Sequence, residues 1–393
     1  MQMRVLFIHN DYSRLSGEEA ASAELAKLLE EHGHKVRWFR KTSSGINNFG
    51  DKAKALLLGI YNPKSPKQLA KILDDFHPDV VQVQNLYPFI STSIFKDLRV
   101  RRIPVVMRCP NYRLFCPNGL CLDNKSFVCE KCFGSGKEFW CAYKNCEGNR
   151  LKSIGYALRG WYARVSRHIL NGVDVFIVQS NFQKEKFIAQ GIKAEKIVIV
   201  PGIAPSVEVP EKWQPGEYVS FVGRVSVEKG IDEFIEAARL NPELPFKVAG
   251  NVDAAYRVSD ELPDNVEFVG FLKGKDLDSF YQKSRIIVVP SKWYEGFPNV
   301  IVRGMLLGRP IVTTNIGAMQ GIIRNGVNGV LVPPADGCAL GVAIKNLYGD
   351  VEMCKRFAQQ TMKDTADKYS RERIYELLSG IYNDLIAKNE GKT

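Results

Sequence analysis

The chain has 393 residues, 45% of them apolar and 25% charged, which is ordinary for a globular protein and long enough for two domains with separate cores. Its net charge of +11 points to an anionic partner such as phosphate or a membrane surface, and no basic run is dense enough to select nucleic acid. No apolar segment reaches the ~18 residues of a membrane span, and the N-terminus enters a short strand without a signal-peptide stretch, so a cytoplasmic protein is expected.

Strand and helix patterns alternate throughout, which predicts an α/β protein with parallel sheets. A first strand at 5–10 meets a loop with Ser16-Gly17, then a helix with Leu25, Leu28 and Leu29 on one face and Gly33 closing it. Gly17 lets backbone approach a phosphate closely, although a glycine there also serves plain turn geometry. Further strands are expected at 35–40, 80–85, 104–109, 173–180 and 197–201.

An insertion at 109–149 separates two of these strands. Seven of the nine cysteines fall between Cys109 and Cys146. The Cys129-Glu-Lys-Cys132 spacing lets two thiolates bind one metal from a tight turn, and Cys116 and Cys146 would complete a closed structural zinc site. Reduced thiols and disulfides are the alternatives, and a reducing compartment disfavours the latter. The helix expected at 151–169 carries Leu151, Ile154, Leu158, Trp161, Val165 and Ile169 at steps of three and four, with Arg150, Lys152, Arg159, Arg164 and Arg167 elsewhere. The ordinary placement is against the core with a solvated basic face; the other is on the surface of an anionic membrane.

Residues 201–216, with Pro201, Pro205, Pro210 and Pro215, read as a domain linker. A second series of strands follows at 218–224, 245–250, 266–271, 285–290, 310–314 and 329–332. After the first comes Gly223-Arg224-Val225-Ser226-Val227-Glu228-Lys229-Gly230. Arg224 supplies a planar fork of donors and Lys229 a point charge, a pair that suits a diphosphate. The strand at 285–290 runs into a turn with Glu295 and Gly296, and a helix starts near Pro298, where a missing N–H costs nothing. A carboxylate beside helix-start amides suits a polyol, because one accepts from hydroxyls and the others donate to them. Helices are expected at 336–347, 352–366 and 371–388, the last with a stripe of Ile374, Leu377, Leu378, Ile381 and Leu385.

Five segments in this order and spacing resemble the family-4 glycosyltransferases of the GT-B type. They are Ser16-Gly17-Glu18-Glu19, the run from Asn111 to Gly119, Gly223–Gly230, Glu295-Gly296-Phe297-Pro298, and the run from Asn325 to Pro334. The resemblance implies two Rossmann-like domains facing a cleft, divided as 1–202 and 203–370, with 371–393 packing back on the first. It implies retaining transfer from a nucleotide-sugar, UDP- or GDP-linked, to a glycan, lipid-linked or small-molecule acceptor, without a catalytic metal. By position, Arg224 and Lys229 would bind the diphosphate with Gly17 opposite and Gly223 beside them. Glu295 would contact the donor sugar with the amides of Gly296, Phe297, Pro298 and Asn299, and Gly270 and Phe271 would lie near the base. The family usually has a second Glu eight positions after the first, holding the ribose, where this chain has Arg303. It also usually has a His where this chain has Pro110, and some members have His at the places of Gln82 and Gln84. Arg303 is expected to compensate on the phosphate or ribose side, pairing with Glu295 being the other option. The rival to an active enzyme is a degenerate relative that binds a nucleotide-sugar or a partner without catalysis.

Overall fold

The computed structural model describes residues 2–12, 17–205, 207–209, 213–258 and 261–391, so Ser16 and Pro210 lie outside the described residues. The chain forms two compact units. The first comprises Met1–Lys125, Cys129–Ile203 and Arg371–Thr393, and the second Ser126–Val128 and Ala204–Ser370.

Unit 1 contains β1 (Arg4–Asp11), β2 (Lys35–Thr42), β3 (Val80–Asn85), β4 (Val105–Arg108), β5 (Val175–Val178) and β6 (Ile197–Ile199). They pair in the order β2-β1-β3-β4-β5-β6, every neighbour parallel. Its helices are α1 (Gly17–Glu31), α2 (Phe49–Ile60), α3 (Lys64–Phe76), α4 (Ile94–Val100), α5 (Trp140–Tyr143), α6 (Arg150–Ser166), α7 (His168–Gly172) and α8 (Asn181–Ala189). The central strands are apolar runs because helices cover both faces of a parallel sheet. Val5 to Ile8 of β1 have no measurable exposure. Leu25, Leu28 and Leu29 of α1 are buried, as their spacing predicts.

Unit 2 repeats the plan with β7 (Tyr218–Val222), β8 (Phe246–Ala249), β9 (Val266–Gly270), β10 (Ser284–Val289), β11 (Ile311–Thr314) and β12 (Val330–Val332). The parallel order is β12-β11-β10-β7-β8-β9. Its helices are α9 (Ile231–Arg239), α10 (Gly274–Lys283), α11 (Asn299–Leu306), α12 (Met319–Ile322), α13 (Gly337–Gly349) and α14 (Val351–Tyr369). Gly230, at a φ of +77°, seats the start of α9 on the end of β10, since a Cβ there would stand 1.9 Å from the carbonyl oxygen of Pro290. The last helix, α15 (Arg371–Glu390), belongs to unit 1. Its Ile374, Leu378, Tyr382 and Ile386 share a core with Met3, Val5 and Phe7.

Two local expectations are corrected. The helix at 151–169 is two helices, because Arg167 takes a left-handed conformation (φ 52°) that ends α6. Most of its apolar stripe faces away from the core, Leu151 being 65% exposed and Trp161 40%, whereas Ile169 and Arg159 are buried. The second correction concerns Pro298, which stands just before α11 rather than in its first turn.

Candidate functional site

The strand order of unit 2 reverses between β10 and β7, and ligands in open parallel sheets bind outside the carboxyl ends of strands at such a point. A cavity of about 190 Å³ lies there. Val222 and Gly223 after β7, Pro290 and Ser291 after β10, and Phe297 to Val300 at the head of α11 line it, with Lys229 and Glu295 between them.

Glu295 is 7% exposed, and one of its carboxylate oxygens collects three donors. Lys229 Nζ donates to Oε1 at 2.5 Å, Ser291 Oγ at 2.9 Å and Trp293 Nε1 at 2.9 Å. Burial pushes the Glu295 carboxyl upward, but the Lys229 charge and these hydrogen bonds outweigh it and hold the group below the usual carboxylate range. The acid therefore stays ionised, with its second oxygen left to accept from a ligand. Lys229 also lies over the Trp293 ring, 5.2 Å from its centroid.

The structure brings Gly223, Lys229, Glu295, Phe297, Pro298 and Asn299 to one cavity and leaves the other expected residues off its lining. Arg224, half exposed, donates to Glu228 Oε1 at 2.5 Å and to Asp253 Oδ2 at 3.1 Å, so it is an acid-paired cation rather than a bare one. Arg303 does not line this cavity and does not pair with Glu295. It pairs with Asp278 of α10 and lies over the Tyr281 ring. Phe271 is 65% exposed just beyond the edge strand β9, and Gly270 accepts from the Gly250 amide at 2.8 Å. The row of free amides expected at 296–299 is shorter than the sequence suggests. Pro298 has no N–H, and the Asn299 amide already donates to the Phe297 carbonyl at 3.1 Å. Gly17 opens α1 in unit 1, with open space where a Cβ would stand.

Unit 1 has a pocket at the carboxyl ends of β3 and β4, lined by Glu18, Gln84, Arg108, Pro110, Asn111 and Arg113 among others. Tyr12 Oη donates to Glu18 Oε2 at 2.8 Å, and Arg113 donates to Tyr12 Oη at 3.2 Å and to Asn85 Oδ1 at 3.1 Å. Glu18 Oε1, both amide atoms of Gln84 and Arg108 Nη1 are buried and, among the described residues, have no hydrogen-bond partner. Burial raises the Glu18 carboxyl against the opposing charge of Arg113. The sequence singled out Glu18, Asn111 and Arg113 in the family-like segments and Pro110 and Gln84 as departures from them, but not that they would line one pocket, nor that Arg108 would join them.

In the insertion, the Cys116 thiol donates to Asn118 Oδ1 at 2.9 Å and lies close enough to Cys121 and Cys132 for them to shift its pKa, as Cys141 shifts that of Cys146. Cys132 also feels the charge of Cys146 and Cys129. The four expected zinc ligands thus lie near one another around Cys132, joined by Cys121, a residue not foreseen, and Cys129 also stands beside Lys144. Among the described residues, the trio of potential ligand atoms mutually within 4.8 Å is His9, Asp11 and Glu19, so the sulfurs stand wider apart than in a loaded centre.

Comparison with known proteins agrees with this geometry. The family described as Glycosyl transferases group 1 matches residues 207–364, and the Glycosyl transferase 4-like domain matches residues 16–202. An uncharacterized 42.6 kDa protein in the cps region of Klebsiella pneumoniae is 30% identical over 273 residues, 68% of this chain and 65% of that protein. Alpha-D-kanosaminyltransferase of Streptomyces kanamyceticus is 30% identical over 176 residues, 42% of this chain and 45% of that protein. The chain therefore spans less than two thirds of the length of these relatives. Among solved structures, sucrose-phosphate synthase from Thermosynechococcus elongatus superposes with a TM-score of 0.69 at 16% identity, covering 98% of this chain and all of that one. Anabaena HepE in complex with UDP gives 0.66 at 17% identity, covering 97% of this chain and all of that one. These likenesses show the GT-B fold, and the two matched halves show that the chain belongs to the group-1 glycosyltransferases with a family-4-like N-terminal half.

Proposed function

We propose that this chain is a retaining glycosyltransferase that moves a sugar from a nucleoside-diphosphate-sugar to a hydroxyl of a glycan, lipid-linked or small-molecule acceptor. The observation that carries the reading is the buried Glu295–Lys229 pair at the switch point of the unit 2 sheet. Transfer forms a bond from the sugar's anomeric carbon to the acceptor oxygen and breaks its bond to the diphosphate, while the acceptor hydroxyl loses its proton. The leaving diphosphate gains charge as that bond breaks, and a fixed cation beside it stabilises the transition state more than the ground state. Lys229 is that cation, and Arg224 joins it by exchanging Glu228 or Asp253 for phosphate oxygens. Glu295, held ionised, accepts from sugar hydroxyls.

The unit 1 pocket supports the acceptor side of this reading. The unpartnered atoms of Glu18, Gln84 and Arg108 mix donors with acceptors, which suits hydroxyl groups. HepE, a protein of the same fold, has been seen with UDP-glucose, so uridine diphosphate is the first base to try. The test is a thermal-shift series with UDP, GDP and their sugars. A ligand that binds only the folded state at 100 times its Kd adds about 2.7 kcal/mol. One base is expected to raise Tm and its sugar conjugate to raise it further. A chain that answers to no nucleotide would overturn the reading.

A further inference from the structure

Helix α6 presents its apolar side to solvent. Leu151, Ile154, Leu158, Trp161 and Val165 follow steps of three and four, so they share one face within about 100° of arc. Leu151 is 65% exposed, Ile154 43%, Trp161 40% and Val165 45%. The inward side carries Ser153, Gly155, Ala157 and Arg159 instead.

That orientation is fixed by contacts rather than left open. A Cβ on Gly155 would lie 1.8 Å from Leu56 Cδ1, so α2 packs against α6 at a place only glycine permits. On the same inward side Arg159 donates to the Pro117 carbonyl at 2.8 Å and lies over the rings of Tyr87 and Tyr156. Rolling α6 to bury its stripe would bring Arg159 out of these contacts. The exposed face is therefore a feature of the packed state.

Arg150 and Arg167 stand exposed at the two ends of α6, and Lys52 and Lys54 are exposed on the adjoining α2, which adds Leu57 at 66% exposure. An apolar helix face with an indole, and exposed cations at its ends and on the adjoining helix, fits the interface of an anionic bilayer, with the apolar side chains in the acyl boundary, Trp161 at headgroup level and the cations on lipid phosphates. A second copy fits less well, because pairing identical faces would set these cations against each other in a chain already at +11. Among the described residues no helix is long and apolar enough to cross a membrane, so the contact is interfacial.

We propose that the outward face of α6, with the neighbouring surface of α2, docks this chain on an anionic lipid surface. The test is flotation of the full chain with vesicles of phosphatidylcholine alone and of phosphatidylcholine with phosphatidylglycerol. The chain is expected to float with the anionic vesicles, and less as salt rises. The double variant Ile154→Ser, Val165→Ser, at two exposed positions and with unchanged Tm, is expected to partition roughly tenfold less. Wild type that floats with neither vesicle, or a variant that floats as wild type does, would overturn the proposal. So would a wild-type dimer that the variant converts to monomer without lipid, because a second copy would then be what covers the face. None of these readouts depends on a nucleotide or an acceptor, so failure of the transferase reading leaves the result interpretable.

Discussion

Glu295 and Lys229 show what one residue pair decides. The family resemblance sends one to sugar and the other to phosphate, and the structure joins them at 2.5 Å. Glu295→Gln keeps the oxygen that accepts from Ser291 and Trp293 but frees Lys229 of its counter-charge. Diphosphate affinity is expected to hold or rise in calorimetry, while transfer falls on the order of 100-fold. Transfer at the wild-type rate would remove Glu295 from the site. Arg303 is the opposite case: its identity was plain in the chain, but its partner Asp278 comes from another helix, and no spacing rule could name that contact. Because the pair is partly exposed, Arg303→Ala is expected to cost at most ~1 kcal/mol of stability and to leave nucleotide affinity unchanged. A large loss of affinity would put Arg303 back in the site. His9 adds a pH dependence. Burial lowers its pKa to about 4, against an ordinary value of 6.5. The unfolded chain thus takes up a proton first as pH falls, and stability is expected to decline from pH 6.5 toward 4 and then stop declining on this account. His9→Gln should flatten that part of a denaturation-midpoint profile, and an unaltered slope would rule the residue out.

At the scale of elements, all twelve strands among the described residues were legible, because a buried parallel strand is a short apolar run between turn signals whatever surrounds it. The orientation of α6 was not. Its 3.6-residue periodicity marks an apolar face but does not say whether that face meets protein or something else, and the deciding contacts, Leu56 at Gly155 and Pro117 at Arg159, lie far away in the chain. The cysteine insertion shows the same limit. Cys129 and Cys132 stood out by spacing, whereas Cys121 joins Cys116 only in the folded chain. Hydrogen bonds from Cys121 and Cys132 hold the Cys116 thiol well below its usual range, and a thiolate is the form that binds metal. Cys116, Cys129, Cys132 and Cys146 are therefore expected to draw together on one zinc, with sulfurs about 2.3 Å from it. Elemental analysis of chain purified without chelator should give about one zinc per chain, and thiol titration should show protection that chelator removes. Metal-free protein with these thiols freely titratable would exclude the site. Because Cys116 closes the turn after Tyr112, its amide donating to the Tyr112 carbonyl at 2.9 Å, zinc removal should disturb acceptor KM before donor affinity.

For the whole molecule, the chain path decides which part can stand alone. Unit 2 is nearly one continuous stretch, Ala204–Ser370, whereas unit 1 needs a helix delivered from the far end of the sequence. The stripe of α15 could be read as apolar, but where it packs was knowable only by resemblance to other proteins. In the structure Ile374, Leu378, Tyr382 and Ile386 are buried, and the Tyr382 hydroxyl donates to Gln82 on β3. Full burial of such side chains contributes about 1.5–3 kcal/mol each, so four give roughly 6–12 kcal/mol as an upper figure. That matches the whole stability of an ordinary domain, ~5–15 kcal/mol. A chain ending at Ser370 should therefore lose unit 1 as a cooperative unit while keeping unit 2. Calorimetry should show one transition where the full chain shows the melting of both units. Because the switch-point cavity, Lys229 and Glu295 all belong to Ala204–Ser370, the shortened chain should still be stabilised by the nucleoside diphosphate that stabilises the full one. Retained nucleotide binding with no acceptor-dependent turnover is the expected pair of results. A shortened chain in which unit 1 melts as in the full protein would show that the sheet and its own helices suffice, and that the burial of α15 is worth far less than its area suggests.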